Sequence, residues 1–514
     1  MFIINSKLKL IVVYLIIILA GFVFVGKTQL HTDILYFLYV FKSIIVNNLR
    51  LSVDIFDVNT PITYLFNLPV VLLNLKLGMP LEVTFKIYSL ILVLTVYFGF
   101  YRTLFRDLKI IIWDNKSEEF TGVVFLTLVL FTGQDFMQRD FWGVYLTIPF
   151  IFLSYRNLIL DRKPYFWEII FVVLLGTVGL GFKPVYIIMV LFCEVYFLIM
   201  TSGRSLLRRE LWILAGVGIV ELVAMYVFYP GLLQEFWLGT RYYHGFVSRG
   251  VWVNWEMWFG IVLFLYLFLK SVLNKKYKFN LFLSILILSL LSTAYLQGKG
   301  FWHHFWGIRI ILGISAVRII YSLKGNWKKI SIKLFLSKLI LILILYLISV
   351  VWLFQWIVAM QPLLSVSSEV YVQNVEYFKL KLNYNERFAV VSTVLYPFSL
   401  LEEYTGALNV MRYRNLWMLP GMYFGTDSDI YRNVNQMNVD ELGVYESVIG
   451  DLINKEPKII VIDNCNQKSG WVNRSFDYYK YFGQSKEFDL LLLTLYTKDT
   501  SVYGCYDVWE RRLL

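Results

Sequence analysis

Repeated apolar runs of about 20 residues dominate the sequence and constrain its fold more than any other feature. They lie at 10–25, 82–104, 119–134, 140–155, 166–182, 184–200, 210–229, 255–274, 279–296, 304–322 and 334–356. A helix of roughly 20 apolar residues crosses the hydrocarbon core of a bilayer. The sequence therefore predicts a polytopic α-helical membrane protein with about 11 transmembrane helices, of which the first is not cleaved as a signal peptide.

The composition excludes an ordinary soluble domain of this length. The chain has 514 residues, of which 58% are hydrophobic and only 16% are charged, and its mean hydropathy is +0.62. A net charge of +12 is compatible with nucleic-acid binding. The positive-inside rule for membrane proteins explains this charge more simply, so no nucleic-acid partner is expected.

The segments that separate the apolar runs differ in their number of basic residues, and rich and poor segments alternate along the chain. The segments richest in lysine and arginine are 101–118, 156–163, 204–209, 270–278 and 324–333. The segments with fewer basic residues are 135–140, 183, 230–254 and 297–303. The positive-inside rule places the first set and the N-terminus in the cytoplasm, so the second set is predicted to lie outside.

The segment 31–80 is the first outer loop, and its course decides the orientation of every later run. Its apolar part, Pro61–Leu77, contains Pro69, and a crossing there would reverse the side of each later basic segment. We therefore predict that this part lies flat on the outer surface as an interfacial helix. A second interfacial helix is predicted from Asp33 to about Ile45. Its apolar face comprises Ile34, Phe37, Leu38, Phe41 and Ile45.

The C-terminal part of the sequence is mostly polar and has a different pattern. We predict a transmembrane domain over 1–358 and an α/β domain over 359–514, which an odd number of crossings places outside the membrane. Strands are predicted at 388–395, 458–462 and 489–496, with a helix at 444–453. Cys465 and Cys505 can form a disulfide in an exocytoplasmic domain, and free buried thiols are the alternative.

Three carboxylates in the first outer loop are candidates for chemistry. Asp33 follows the outer end of the first crossing, where a carboxylate can take a proton from a hydroxyl group. Alternatively, it stabilises the start of a helix through the helix dipole. Asp54 and Asp57 either orient a substrate and share a cation, or form a polar turn before a helix.

Two further outer segments carry ionisable residues. In GQDFMQRDFWG, Arg139 lies between Asp135 and Asp140, and it forms either a structural ion pair or a support that turns one carboxylate toward a site. Lys183, in GLGFKP, is a lone cation between two apolar runs. It faces a polar cavity or extends to the lipid headgroups.

The segment YLQGKGFWHHFWGIR carries Lys299 between two glycines, so its amine can approach a phosphate closely. Adjacent histidines point in different directions on a helix, so we predict that only one of His303 and His304 joins a site and that they hold no metal. The aromatic segment 230–254 contributes Arg241 and Arg249, as part of a substrate flap or of an interfacial aromatic belt.

Several of these motifs resemble those of the bacterial GT-C superfamily, integral-membrane glycosyltransferases that use polyprenyl-phosphate-linked sugars. An aspartate follows the first crossing, and DVNTPITYL begins at Asp57 with Thr60-Pro61 where the family more often has two prolines. YLQGKGFWHHF is similar to a motif with a Lys-Gly pair followed by an aromatic residue and a histidine. YRNLWMLPGMY, at 413–423, resembles a segment of the outer domain of such proteins.

A further similar segment is GQDFMQRDFWGVYLTIPFIF. It resembles a loop of the family that carries an acidic residue and a histidine before the next crossing. Asp140 supplies the acidic residue, and Phe141 replaces the histidine, so no role of that histidine carries over.

The resemblance implies a GT-C-like fold with interfacial helices in the first outer loop and a site at the outer membrane face. It implies that an aspartate of that loop, here Asp33, is the general base. Asp54 or Asp57 would orient substrates together with Asp140, and basic residues would balance the departing phosphate. The predicted substrate-binding residues are Asp54, Asp57, Arg139, Asp140, Lys183, Arg241, Arg249, Lys299, His303 and His304. No cofactor is required, although a divalent cation held by aspartates is compatible with the motifs.

The expected function is transfer of a sugar from a polyprenyl-phosphate donor to a hydroxyl group of a glycan, lipid or protein. The expected location is the outer face of a bacterial plasma membrane, in synthesis of cell-envelope polysaccharide. A transporter or flippase of lipid-linked sugars is the first alternative, and it predicts polar groups at mid-membrane and repeated halves. The second is an inactive assembly partner.

Overall fold

The structure is a computed structural model that describes residues 6–28, 30–104, 115–132, 136–243, 250–273, 278–324, 369–394, 398, 401–424, 431–466, 468, 470–471, 476–502 and 504–512. The described chain is mostly helical. Its α-helices are α1 (Ser6–Lys27), α2 (Thr32–Asn47), α3 (Pro61–Leu65), α4 (Leu68–Leu77), α5 (Leu81–Val96), α6 (Asn115–Leu130), α7 (Arg139–Ile159), α8 (Phe166–Phe182), α9 (Ile187–Met200), α10 (Arg209–Phe228), α11 (Leu232–Tyr243), α12 (Trp255–Leu273), α13 (Lys278–Gln297), α14 (Trp306–Lys324), α15 (Glu369–Lys381), α16 (Leu401–Thr405), α17 (Met418–Met422), α18 (Val439–Lys455), α19 (Tyr478–Phe482) and α20 (Lys486–Leu495).

The chain forms two compact units. The first, the helical unit, comprises 1–31, 72–221 and 249–364. The second, the mixed unit, comprises 32–71, 222–248 and 365–514. The segment Thr32–Val71 is thus grouped with the C-terminal segment. The predicted domain boundary after residue 358 lies outside the described residues, as does the predicted crossing at 334–356.

Within the described chain, five helices are long and apolar enough to cross a membrane. They are Leu10–Lys27, Leu81–Leu104, Arg209–Phe228, Trp255–Leu273 and Lys278–Gln297. Shorter apolar helical stretches are Pro61–Leu77, Thr121–Leu130, Phe166–Phe182 and Pro184–Met200. Several of these helices expose large apolar side chains, such as Leu19, Ile219 and Val220. Exposed apolar helices of this length indicate a membrane-associated protein.

The helical unit is packed closely where α7 meets α8. A Cβ atom on Gly179 would lie 2.5 Å from Oγ1 of Thr147, and one on Gly143 would lie 2.6 Å from the ring of Tyr186. Each glycine therefore allows a contact that a larger residue would prevent. An aromatic cluster continues this core, in which the Tyr145 ring stacks on Tyr101 with centroids 5.0 Å apart.

The mixed unit contains a five-stranded sheet. Its strands are β1 (Arg387–Val391), β2 (Leu408–Asn409), β3 (Ile459–Asp463), β4 (Tyr496–Val502) and β5 (Tyr506–Arg511), in the order β2-β1-β3-β5-β4. β1 pairs in parallel with β2 and β3, and β5 is antiparallel to β3 and β4. The predicted helix between two buried strands is found as α18. The structure also joins Cys465 to Cys505 by a disulfide, which closes 40 residues of sequence.

The predicted strand at 489–496 is wrong, because most of this segment forms α20. The Ser485 side chain accepts a hydrogen bond from the Phe488 amide and caps the helix. Phe488, Leu491 and Leu492 are buried at helical spacing. The continuous apolar run concealed this period of three to four residues, and the strand begins only at Tyr496.

Both helices predicted within segment 31–80 are present as helices. The stretch Pro61–Leu77 is divided into α3 and α4 near Pro69, whose missing N–H removes a helical donor. α2 extends over the predicted segment, and four of the five predicted face residues are buried. Leu35, Tyr39 and Val40 are buried as well, so burial covers more of this helix than a single face.

Candidate active site

Asp140 is the centre of a buried polar cluster in the helical unit. It lies in the first turn of α7 and is 2% exposed. The Lys183 ammonium donates to Oδ1 and Oδ2 of Asp140 at 2.8 and 2.7 Å, and the Tyr186 hydroxyl donates to Oδ1 at 2.7 Å. The negative charge of Asp140 is thus balanced by a cation from a distant loop.

Local sequence explains why Lys183 reaches Asp140. α8 ends at Phe182, Lys183 is extended, and Pro184 begins a 3-10 turn that ends at Tyr186. Pro184 lacks an N–H and suits the first position of this turn. The close packing of α7 on α8 then holds both loop residues beside the start of α7.

His303 and His304 both approach Asp140. They lie in a 3-10 turn, Trp302–Phe305, rather than in an α-helix. Nε2 of His303 is 3.9 Å from Oδ2 of Asp140, and the His303 ring meets the His31 ring edge to face at a centroid distance of 5.7 Å. The prediction that only one histidine joins a site assumed that both lie on an α-helix. In the 3-10 turn, both imidazole rings lie near Asp140. Burial lowers the pKa of His303 well below its usual value, which favours a neutral imidazole.

Asp140, His303 and His304 are also the residues that could hold a metal ion in this cluster. One ligand atom from each lies within 4.8 Å of the others. Lys183, however, already binds both oxygens of Asp140. A cation would have to displace this ammonium group, so the arrangement favours an ion pair over a metal centre.

Lys299 is fully buried between two glycines with left-handed backbone angles, Gly298 at φ 68° and Gly300 at φ 61°. A Cβ atom on Gly300 would lie 2.4 Å from the Gly250 carbonyl oxygen, and the Asn254 side chain donates to the Gly300 carbonyl at 2.8 Å. The glycines thus serve a tight turn against a neighbouring segment. Burial lowers the pKa of Lys299 to about 8, so its charge is sensitive to a nearby anion.

The remaining predicted cations differ in their surroundings. Arg139 is half-buried at the start of α7, next to Asp140. Arg241, in the mixed unit, is mostly exposed and donates to Oδ2 of Asp440 at 2.6 Å. Arg249 and Asp135 lie outside the described residues.

The three candidate carboxylates of segment 31–80 lie in the mixed unit and have distinct environments. Asp33 is half-buried in the first turn of α2. Asp54 accepts hydrogen bonds from the backbone and side chain of Arg50 at 2.8 and 3.1 Å. The hydrogen bond from the Arg50 side chain lowers the pKa of Asp54, and this pair closes a turn at the surface.

Asp57 is buried, unlike Asp54. Its carboxylate accepts hydrogen bonds from the Asn59 amide at 2.6 Å, from the Asn59 side chain and from the Tyr64 hydroxyl. The backbone N–H of Asp57 donates to Oε2 of Glu235 at 3.1 Å. Hydrogen bonds therefore fix the turn of Asp57 through both its side chain and its backbone.

Glu235, which the sequence did not single out, is a further candidate residue of this cluster. It is buried in the first turn of α11, where burial raises its pKa to about 7, and its Oε1 accepts from Arg412 at 2.6 Å. The available signal was a single carboxylate inside the aromatic segment YPGLLQEFWLGTRYY, four residues before a glycine. A helix-start position explains such a carboxylate equally well, so the sequence gives no reason to prefer a buried pair.

Comparison with known protein families finds no family that matches this chain, and comparison with curated proteins finds no match either. Two polar clusters are therefore the basis for a function. The cluster of the helical unit presents an ion pair, neutral imidazoles and a buried amine, groups that can bind an anion and hold water away from it. The cluster of the mixed unit presents a rigid aspartate turn.

Proposed function

We propose that this protein is an integral-membrane glycosyltransferase of the GT-C type. It moves a sugar from a polyprenyl-phosphate donor to a hydroxyl group of a glycan, lipid or protein at the outer face of a bacterial plasma membrane. The observation that carries the proposal is the contact of Asp140 with Lys183 and His303. These residues come from three separate segments of the sequence that the charge pattern independently assigns to one side of the membrane.

The proposed topology has eleven crossings, a cytoplasmic N-terminus and an exocytoplasmic C-terminal segment. Five helices of suitable length support it, together with shorter apolar helices that overlap other predicted runs. The Cys465–Cys505 disulfide supports the external location of the C-terminal segment, because disulfides persist in oxidising compartments and are rare in the cytosol.

In the proposed reaction, basic groups of the helical unit receive the donor phosphate. Lys299, which is mostly protonated below its pKa of about 8, supplies a positive charge, and Lys183, held in place by Asp140, is a second ammonium group of the cluster. As the bond between the sugar and the phosphate breaks, negative charge grows on the phosphate oxygens. Fixed cations in a water-poor site stabilise that charge without reorganising.

The acceptor oxygen forms the new bond to the sugar, and its proton passes to the carboxylate of Asp33, the proposed general base. Polyprenyl phosphate leaves with the electrons of the broken bond. Asp57, rather than Asp54, is the proposed second carboxylate, because Asp54 is already explained by its surface pair with Arg50.

The proposal is tested with purified protein in liposomes that contain polyprenyl-phosphate sugars, by measuring transfer to added acceptors. We expect Asp33→Asn to reduce kcat at least about a hundredfold, the usual effect of removing a general base. Asp54→Asn, as a matched control in the same loop, retains activity. Equal rates for wild type and Asp33→Asn would exclude Asp33 as the base.

A further inference from the structure

Two arginines of the C-terminal segment, Arg412 and Arg414, bind the first outer loop within the mixed unit. The Phe56 amide donates to the Arg412 carbonyl at 2.9 Å, and Nη2 of Arg412 donates to the Ser52 carbonyl at 3.2 Å. Nη2 of Arg414 donates to the Ser43 hydroxyl at 3.4 Å. The first outer loop therefore rests on a segment more than 350 residues away, as the sequence separation of 360 between Arg412 and Ser52 shows.

Glu235 connects Arg412 to Asp57. One carboxylate oxygen of Glu235 accepts from Nη2 of Arg412 at 2.6 Å, and the other accepts from the Asp57 backbone amide at 3.1 Å. Glu235 is 5% exposed, so water competes little for either oxygen. A single buried carboxylate thus joins three separate parts of the chain.

The packing of α11 fixes Glu235 relative to the turn of Asp57. A Cβ atom on Gly239 would lie 2.3 Å from Cγ1 of Val58, the residue that follows Asp57. The same helix carries Arg241, which binds Asp440 of α18. α11 is therefore held on one side by the first outer loop and on the other by the C-terminal segment.

We infer that Arg412 and Glu235 are positioning residues, which hold the turn of Asp57 in the conformation that sugar transfer requires. This inference rests on the proposed function. Neither residue needs to touch a reacting atom, because both act through the backbone of the first outer loop. Loss of Arg412 would leave Glu235 as a buried carboxylate without its cation, and such a group takes up a proton and releases its neighbours.

Protonation of Glu235 gives the inference a distinctive pH dependence. The charged and titratable groups that face it are Asp57, Tyr36, Arg412 and Tyr413. Because its pKa is raised to about 7, Glu235 is ionised and fully bound to Arg412 only above that pH. We expect kcat to fall as the pH decreases through about 7, and this decrease to be absent in Glu235→Gln, which cannot ionise.

Amide hydrogen exchange of the full-length protein in nanodiscs tests the positioning directly. In Arg412→Ala and Glu235→Gln, we expect exchange at the Asp57 amide to rise at least about tenfold, since its bond to the Glu235 carboxylate is weakened or lost. Exchange at the neighbouring Phe56 amide, which donates to the Arg412 carbonyl, should rise with it as the turn loosens. We also expect kcat for transfer to fall, with the donor KM little changed. Arg412→Lys should restore part of the amide protection and part of kcat, because a lysine can bind Glu235 but lacks the planar guanidinium with its several donors.

Arg432→Ala is the matched control. The Arg432 guanidinium binds the buried Glu441 and the Met422 carbonyl, all in the C-terminal segment. We expect this variant to leave exchange at Phe56 and Asp57 unchanged. If Arg412→Ala does not fold, Glu235→Gln provides the same test.

Unchanged exchange at Phe56 and Asp57 in the Glu235→Gln variant would overturn the inference, whether or not the wild type transfers sugar. Raised exchange with unchanged kcat and pH profile would overturn it as well. If the wild type transfers no sugar but exchange still rises in the Glu235→Gln variant, the proposed function would be overturned instead. The hydrogen bonds of Glu235 would then fix the turn of Asp57 without serving sugar transfer.

Discussion

The Lys183 ammonium lies 2.7 Å from one oxygen and 2.8 Å from the other oxygen of Asp140, although the two residues are 43 positions apart. Asp140 is nearly inaccessible, and the Lys183 side chain is 16% exposed. Removal of either partner leaves a charge that water reaches poorly. The two side chains therefore depend on each other for their location and for their ionisation.

The first prediction concerns this ion pair. We expect Lys183→Met to destabilise the protein by about 3 kcal/mol, because Asp140 would become a buried, unpaired charge. Asp140→Asn combined with Lys183→Met should recover part of the loss. Unfolding in detergent measures the stability of the single and the double variant. Lys379→Met is the control: it removes an exposed ion pair with Glu376 and should change the stability by less than about 1 kcal/mol. Equal effects of Lys183→Met and Lys379→Met would contradict a buried pair.

The second prediction concerns the charge of Lys299. In the free protein its pKa is about 8, and only the protonated amine attracts a phosphate. The affinity for polyprenyl phosphate should then fall about tenfold per pH unit above 8, where the phosphate itself no longer titrates. Lys299→Arg should remove this dependence, because a guanidinium stays charged. The same pH dependence in both proteins would show that another group binds the phosphate.

The third prediction concerns the disulfide. Replacement of Cys465 and Cys505 by serine should destabilise the protein by roughly 2–4 kcal/mol, because the unfolded chain gains the freedom of a 40-residue loop. Mass spectrometry after alkylation of the unfolded, unreduced wild type should find a single modified cysteine, Cys193. Three modified cysteines would show that the two C-terminal thiols are free.

The fourth prediction concerns topology. Ser52 is buried, but its neighbour Val53 is 52% exposed, so Val53→Cys is a suitable probe of segment 31–80, the proposed first outer loop. Leu207, in a predicted cytoplasmic segment, is 82% exposed and provides the matched probe. An impermeant thiol reagent added to intact cells should modify Val53→Cys, and Leu207→Cys only after the membrane is opened. The reverse pattern would invert the proposed orientation.

The positions of the five long apolar helices were predictable, because a helix that could cross a membrane must be about 20 apolar residues long whatever its neighbours are. The strand predicted at 489–496 was wrong for a related reason. A run of leucines fits a buried strand and a half-buried helix equally, and the capping by Ser485 decided for the helix.

Asp140, Lys183, His303 and His304 were also candidates from the sequence, but Tyr186 and the arrangement of the cluster were not predicted. Charged groups at the ends of apolar runs attract notice in any sequence. The pairing of Lys183 with Asp140 depends on close packing at Gly143 and Gly179, which only the folded chain reveals. Glu235 was missed because burial, and not residue type, makes it unusual.

The most direct test of the central proposal is the fate of a labelled sugar in sealed liposomes that contain the purified protein. Donor is supplied in the leaflet that faces the C-terminal segment, with acceptor on the same side. We expect labelled product to accumulate there in step with released polyprenyl phosphate. Movement of intact lipid-linked sugar between the leaflets, with no product and no released phosphate, would contradict a glycosyltransferase and establish a flippase.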